Sequence, residues 1–195
     1  MRYFIVLLFI IGAFAFFFYF YQTGKLAFSQ TAQPVPSVDL SQVLGQQTKT
    51  TDCKVNGPFP DKACTPGDAF SDATVQEICV PGYTKSVRNV SVATKKEIYA
   101  EYGIASHTTG EYEVDHFIPL EIGGSNDPSN LFPEAAAPKP GFHEKDEVEN
   151  YLHEQVCSSK LRLQDAQAEI VTNWITVYNR IPNLQQYNYS NWSGK

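Results

Sequence analysis

The stretch EVDHFIPLEIGGSNDPSNLF, Glu113 to Phe132, decides the fold that we expect for this chain. It places Asp115 and His116 at the end of a β-type run, and a Gly-Gly loop and an Asn-Leu pair follow. Adjacent residues of an extended chain point to opposite faces, but a bend at residues 117–119 could turn both side chains toward one pocket. A carboxylate for a divalent cation beside an imidazole that accepts a proton suits metal-assisted hydrolysis. The alternative is a plain hairpin with a polar turn.

These residues resemble the first half of the HNH, or His-Me finger (ββα-metal), nuclease motif. The segment KDEVENYLHEQVC, Lys145 to Cys157, extends the resemblance. Upstream, CTPGD and ICVPGYTKSVR are similar to a bacterial extracytoplasmic branch of HNH-like proteins, so the resemblance covers the chain from Cys64 to Tyr178. It implies a small α+β domain of the His-Me finger type with flanking helices. It also implies metal-dependent hydrolysis of phosphodiester bonds in DNA or RNA, which makes nucleic acid the expected substrate.

The resemblance also implies roles for three residues of the motif. His116 would be the general base that activates water, since the unperturbed pKa of an imidazole lies near working pH. Asp115 would ligate a divalent metal ion that stabilises the developing charge and the leaving oxygen. Asn130 would brace the loop that follows.

A helix predicted from Phe142 to Cys157 would complete the site. Asp146, Asn150 and His153 share one stripe of this helix by their spacing. In the family's pattern a residue of the helix is the second metal ligand, for which Asn150 is the first choice, His143 the second and His153 the third. Oxygen ligands favour magnesium, whereas a histidine ligand would favour manganese, nickel or zinc.

The net charge of the chain limits how it could bind nucleic acid. The chain carries 15 basic and 21 acidic residues, a formal charge of −6, so broad electrostatic attraction to nucleic acid is not expected. Binding would depend on a local basic patch and on the metal. Arg88 and Lys145 are candidates for phosphate contact, and their alternative is to be solvated surface charges.

The N-terminus predicts an export signal. From Tyr3 to Tyr21 the chain has no charged or amide side chain, and such a helix would span roughly 28 Å, enough for one bilayer crossing. A cleaved signal peptide is the alternative, but its apolar region is usually shorter and ends in a small-residue cleavage site. We therefore predict a transmembrane anchor over 1–22, a flexible linker over 23–51 and a nuclease domain over 52–195.

Four cysteines, an even set behind an export-type N-terminus, favour disulfides in an oxidising compartment. A zinc site is the alternative, although no two cysteines have the CxxC spacing. Of the three possible pairings we prefer Cys64–Cys79 with Cys53–Cys157.

Periodicity predicts the remaining elements. Helices are expected over Ala73–Cys79, Val92–Gly103 and Leu161–Ile181, and EYEVDHF and NLFPEA are expected to be strands. Trp174 is expected to pack in the core. Two other functions compete with a nuclease, namely a non-catalytic membrane-anchored module used for binding or assembly and a hydrolase of another envelope substrate. No protein partner can be inferred.

Overall fold

A computed structural model of the protein describes residues 39–181, which lie in one compact unit, Ser37–Lys195. The elements follow in this order: α1 (Leu40–Val43), α2 (Val75–Ile78), α3 (Tyr83–Val87), α4 (Val92–Glu101), β1 (Tyr112–His116), β2 (Leu131–Ala135), α5 (Phe142–Cys157) and α6 (Leu163–Arg180). Two single-turn 3-10 helices, Leu120–Ile122 and Pro128–Asn130, lie between the strands.

The two strands pair antiparallel and carry the motif at the end of their shared ladder. Tyr112 lies opposite Ala135, and His116 lies opposite Leu131. The Asp-His pair therefore stands where β1 leaves the sheet. Both expected strands and the long connection between them are confirmed.

The connection between the strands is held in one conformation by the side chain of Asn130, which is fully buried. Its amide oxygen accepts hydrogen bonds from Ile118 N at 2.8 Å and Asp68 N at 3.2 Å. Its amide nitrogen donates to Ile118 O and Ser125 O, each at 2.9 Å. A Cβ on Gly124 would meet Ile118 O at 1.7 Å, so the loop closes too tightly for any other residue there.

Helix ends follow local signals in the sequence. Ser91 caps α4 by accepting a hydrogen bond from Thr94 N, as its position before the helix predicts. Helix α5 has the predicted bounds. Helix α6 is shorter than expected, and its backbone leaves the helical region at Asn173, where φ is −168° and ψ is 88°.

Trp174 anchors the core on α6. Its side chain is fully buried and lies 6.2 Å from the ring of Phe59, measured between ring centroids. The expected packing role of Trp174 is confirmed. Apolar side chains of α5 that face the same core are Val148, Leu152 and Val156.

The expected fold class, an α+β His-Me finger domain behind a transmembrane helix, is wrong as stated. Over residues 39–181 the chain is a mixed helix and sheet domain with one two-stranded sheet and helices packed around it. None of the helices in this part of the chain is long and apolar enough to cross a membrane. The predicted span, Tyr3 to Tyr21, lies outside the described residues.

Part of the predicted linker belongs to the folded domain. Gln47 Nε2 donates to Cys64 O at 2.9 Å, and Thr48 N donates to Ala63 O at 2.8 Å. Leu44 packs against the hydrophobic core. The polar composition of this segment predicted a linker and gave no sign of its hydrogen bonds to the backbone carbonyls of Ala63 and Cys64.

All four cysteines are paired, as expected, but the preferred pairing is wrong. The disulfides are Cys53–Cys64, with a Cα–Cα distance of 6.1 Å, and Cys79–Cys157, with a Cα–Cα distance of 5.7 Å. A turn at Asp61 brings Cys64 back to Cys53. Cys79 directly follows α2 and is bonded to Cys157, the last residue of α5. Two disulfides indicate an oxidising, extracytoplasmic environment.

Candidate hydrolytic cleft

A cleft of about 510 Å³ opens beside the Asp-His pair. It lies between α3, α4, the β1 strand and α5. The lining residues are Thr84, Lys85, Arg88, Lys95, Glu113, Val114, Asp115, Glu121, Asp146 and Glu149. Three of these residues are basic and five are acidic, and we call the two groups the basic wall and the acidic wall.

The basic wall consists of the exposed side chains of Lys85, Arg88 and Lys95, contributed by α3, the residue after it and α4. Arg88 stands close enough to His116 for its positive charge to act on that imidazole. A chain with an excess of acidic residues thus has three basic side chains in the lining of a single cleft. Because the chain as a whole is acidic, it needs a local group of basic side chains of this kind to bind phosphate.

Behind the acidic wall, Lys145 is buried with no exposed surface. Its ammonium lies 2.6 Å from Asp115 Oδ2 and 2.5 Å from Glu149 Oε1. It also donates to His116 O at 2.8 Å, and Glu134 Oε2 lies 3.8 Å away. The sequence suggested Lys145 as a phosphate contact. Because its side chain is buried, it cannot make that contact.

Burial and the ammonium set the protonation of this cluster. Burial works to raise the pKa of Asp115, but the charge and the hydrogen bond of Lys145 outweigh it and lower that pKa. Burial raises the pKa of Glu134 and of Glu149 well above the ordinary range. Glu134 is 1% exposed, and the nearby carboxyl groups of Asp115 and Glu149 add to the rise of its pKa. We infer that Asp115 carries the charge that balances Lys145, whereas Glu134 is protonated.

His116 lies behind the cleft lining and is 2% exposed. Burial is the main cause that lowers the pKa of His116, to about 4, while the neighbouring Asp115 works against it. The imidazole is therefore neutral at neutral pH. A neutral imidazole can accept a proton.

The tautomer of His116 follows from its neighbour Asn126. The Asn126 amide nitrogen donates to Val87 O at 2.8 Å, and its oxygen accepts from Asn89 N at 3.0 Å. His116 Nε2 lies 3.3 Å from that same oxygen, so Nε2 must carry the hydrogen. The lone pair is left on Nδ1, which identifies the basic atom.

The predicted second metal ligands, Asn150 and His143, contact residues of α5 itself. The amide nitrogen of Asn150 donates to Asp146 O at 2.7 Å. The exposed ring of His143 lies 4.2 Å from the ring of Phe142, measured between centroids. Neither residue lines the cleft, and one oxygen of Asp115 is held by Lys145. The residues present do not fit a metal ion bound by Asp115 with Asn150 or His143.

A different group could hold a metal ion. Cys79, His153 and Cys157 each offer one ligand atom, and these atoms lie within 4.8 Å of one another. Both sulfur atoms belong to the Cys79–Cys157 disulfide. His153 Nε2 lies 3.0 Å from Ile78 O and 3.3 Å from Cys157 Sγ. His153, the third choice for a ligand beside Asp115, therefore sits at the disulfide instead.

Sequence reasoning missed Glu149, Glu134 and Asn126. Glu149 follows Lys145 by four residues, a spacing that places the two side chains together on a helix and could have flagged the pair. Asn126 lies in the loop whose Asn130 was singled out. Glu134 had one local signal, a carboxylate within an otherwise apolar strand.

Comparison with known proteins identifies no relative. No family model matches the chain, and no curated protein and no solved structure matches it. The resemblance to the HNH motif therefore stays a prediction.

Proposed function

We propose that this cleft hydrolyses phosphodiester bonds of nucleic acid outside the cytoplasm. One observation carries the proposal: a neutral His116 with its lone pair on Nδ1 stands beside a charged Asp115, next to a cleft whose lining includes Lys85, Arg88 and Lys95. The base and the phosphate-binding charges needed for hydrolysis thus occur at one place.

In the proposed reaction, His116 Nδ1 accepts a proton from the attacking water. Asn126 keeps the imidazole in the required tautomer, and Asp115 stabilises the imidazolium that forms. General bases contribute a factor of about 10²–10⁴ to the rate, and the low pKa of His116, about 4, puts it toward the lower end of that range.

Substrate binding falls to the basic wall. The Arg88 guanidinium can bind two phosphate oxygens at once and lies beside the base. Lys85 and Lys95 extend the positive charge along the same wall.

A divalent metal, with magnesium ahead of manganese, nickel and zinc, was expected for this reaction. Asp115 is the one expected ligand that faces the cleft, and its Oδ2 is bound by Lys145. We therefore assign no step to a metal ion.

The location follows from the disulfides and the sequence. The paired cysteines place the domain in an oxidising compartment. We propose in addition that the apolar segment Tyr3 to Tyr21 anchors the chain, so that the domain acts at the outer surface of the membrane.

The test is cleavage of supercoiled plasmid and of a single-stranded RNA by the full chain, with and without divalent metals. We expect His116→Ala to lower the cleavage rate about 10²–10⁴-fold with the far-ultraviolet circular dichroism unchanged. His107→Ala is the matched control, because His107 is exposed and lies outside the cleft. Equal rates for the wild type and His116→Ala would contradict the assignment.

A second function, a non-catalytic binding module, is favoured by the burial of His116. The imidazole is 2% exposed and does not line the cleft, so attacking water must reach it past other side chains. Fluorescence anisotropy with a labelled oligonucleotide separates the two functions. Binding that weakens in Arg88→Ala, without any cleavage by the wild type, would favour the binding module.

A further inference from the structure

The ammonium of Lys145 is coordinated as completely as a lysine can be. It has three N–H donors, and three oxygen atoms accept them: Asp115 Oδ2 at 2.6 Å, Glu149 Oε1 at 2.5 Å and His116 O at 2.8 Å. Carboxylate and carbonyl oxygens are also the ligands that hard divalent cations take. The oxygen atoms around Lys145 are therefore those of a cation site, and the ammonium of Lys145 occupies it.

A fourth oxygen group completes these surroundings. Glu134 Oε2 lies 3.8 Å from the ammonium, and this carboxyl group is 1% exposed. Three carboxyl groups from β1, β2 and α5 thus converge on one positive charge. No exposed surface remains on Lys145 through which its ammonium would exchange with solvent.

We propose that Lys145 is the permanent internal cation of this centre, in the place where a divalent metal would bind Asp115, so that Asp115 takes up no metal ion. On the proposed function, it follows that hydrolysis at the cleft needs no divalent metal. This second part depends on that function, and the first part does not.

Lys145 acts as a positioning residue, since its buried ammonium cannot touch a substrate. It fixes the carboxylate of Asp115 beside His116 and holds the backbone carbonyl of His116 at the end of β1. A metal ion entering beside it would meet an immobile positive charge. A metal ion replacing it would have to drive a long side chain out of a closed site.

The direct test is Mn²⁺ binding to the full chain, measured by electron paramagnetic resonance without nucleic acid. We expect the wild type and Asp115→Asn to bind Mn²⁺ equally, within twofold. Lys145→Ala should gain one Mn²⁺ site at least tenfold tighter than any in the wild type, and the double variant Lys145→Ala/Asp115→Asn should lose it. Lys139→Ala is the control, because Lys139 is an exposed lysine paired with Glu144.

Two results would overturn the proposal. The first is a Mn²⁺ site in the wild type that Asp115→Asn removes. The second is a folded Lys145→Ala protein without the new site. If Lys145→Ala does not fold, the comparison of the wild type with Asp115→Asn decides alone.

Cleavage assays separate this proposal from the proposed function. If the chain cleaves nucleic acid, its rate in excess chelator should equal its rate in Mg²⁺ within twofold. If the wild type cleaves only in Mg²⁺, the second part of the proposal is overturned, and the Mn²⁺ measurement decides the first part. If the chain cleaves nothing, the proposed function fails and the Mn²⁺ measurement still decides the cation.

Discussion

The two ends of helix α5 are fixed to the domain by opposite means. Near its start, Lys145 and Glu149 join a buried ionic cluster with Asp115. At its end, Cys157 is bonded covalently to Cys79. The cluster depends on charge and lies against the cleft, whereas the disulfide holds the helix whatever its protonation.

The difference shows that the fold carries a cost in stability at the end of α5 that lies beside the cleft. Buried charges lose their hydration, and replacing such clusters by apolar side chains often leaves stability unchanged or raises it. A disulfide or apolar packing would hold the first turns of α5 as well. A buried lysine among three carboxyl groups at the cleft therefore points to a role in the chemistry there.

The largest effect is expected from removing the charge at the ionic end. Lys145→Met leaves the carboxylate of Asp115, which is only 13% exposed, without its partner. Breaking a buried ion pair in this way typically costs about 3–5 kcal/mol of the unfolding free energy. Lys139→Met removes a lysine that is 75% exposed and precedes the same helix, so it should lower the unfolding free energy far less. Urea denaturation gives both values. Equal stability of Lys145→Met and the wild type would show that the cluster does not hold this end.

At the covalent end, Cys79→Ala/Cys157→Ala should lower the unfolding free energy by about 4 kcal/mol. The cysteines of this pair are separated by 78 residues, against 11 for Cys53–Cys64, so the latter pair should contribute less, about 3 kcal/mol. Urea denaturation of the two double variants tests this order. A larger loss on removal of the Cys53–Cys64 bond would contradict it.

A smaller effect is expected on the pH dependence of the unfolding free energy, and it concerns His116 beside the ionic end of α5. The pKa of His116 is about 4 in the folded chain and about 6.5 when unfolded, so the unfolded chain binds more protons between these values. The contribution of His116 is therefore fully present above pH 6.5 and is lost as the pH falls toward 4, by up to about 3 kcal/mol.

The measurement is the difference in unfolding free energy between the wild type and His116→Gln across this pH range. Glutamine keeps a donor for Asn126 but does not titrate. The difference also removes the opposing contributions of Glu134 and Glu149, which both variants retain. A difference that does not change with pH would contradict the buried, neutral imidazole.

Local patterns predicted the elements of this domain better than its buried contacts. The bounds of α5 and the strand pair follow from periodicity and turn signals within single segments. The position of Lys145 does not, because a lysine near a helix start is almost always solvated and its burial needs acids from two other elements. The disulfide pairing likewise depends on how α2 meets the end of α5, which no spacing encodes.

The most direct measurement is the rate of plasmid nicking by the wild-type chain in excess chelator, compared with its rate in Mg²⁺. We predict equal rates within twofold, and a rate about 10²–10⁴-fold lower for His116→Ala under both conditions. A wild type that nicks only in Mg²⁺ and is silent in chelator would contradict a centre whose cation is Lys145.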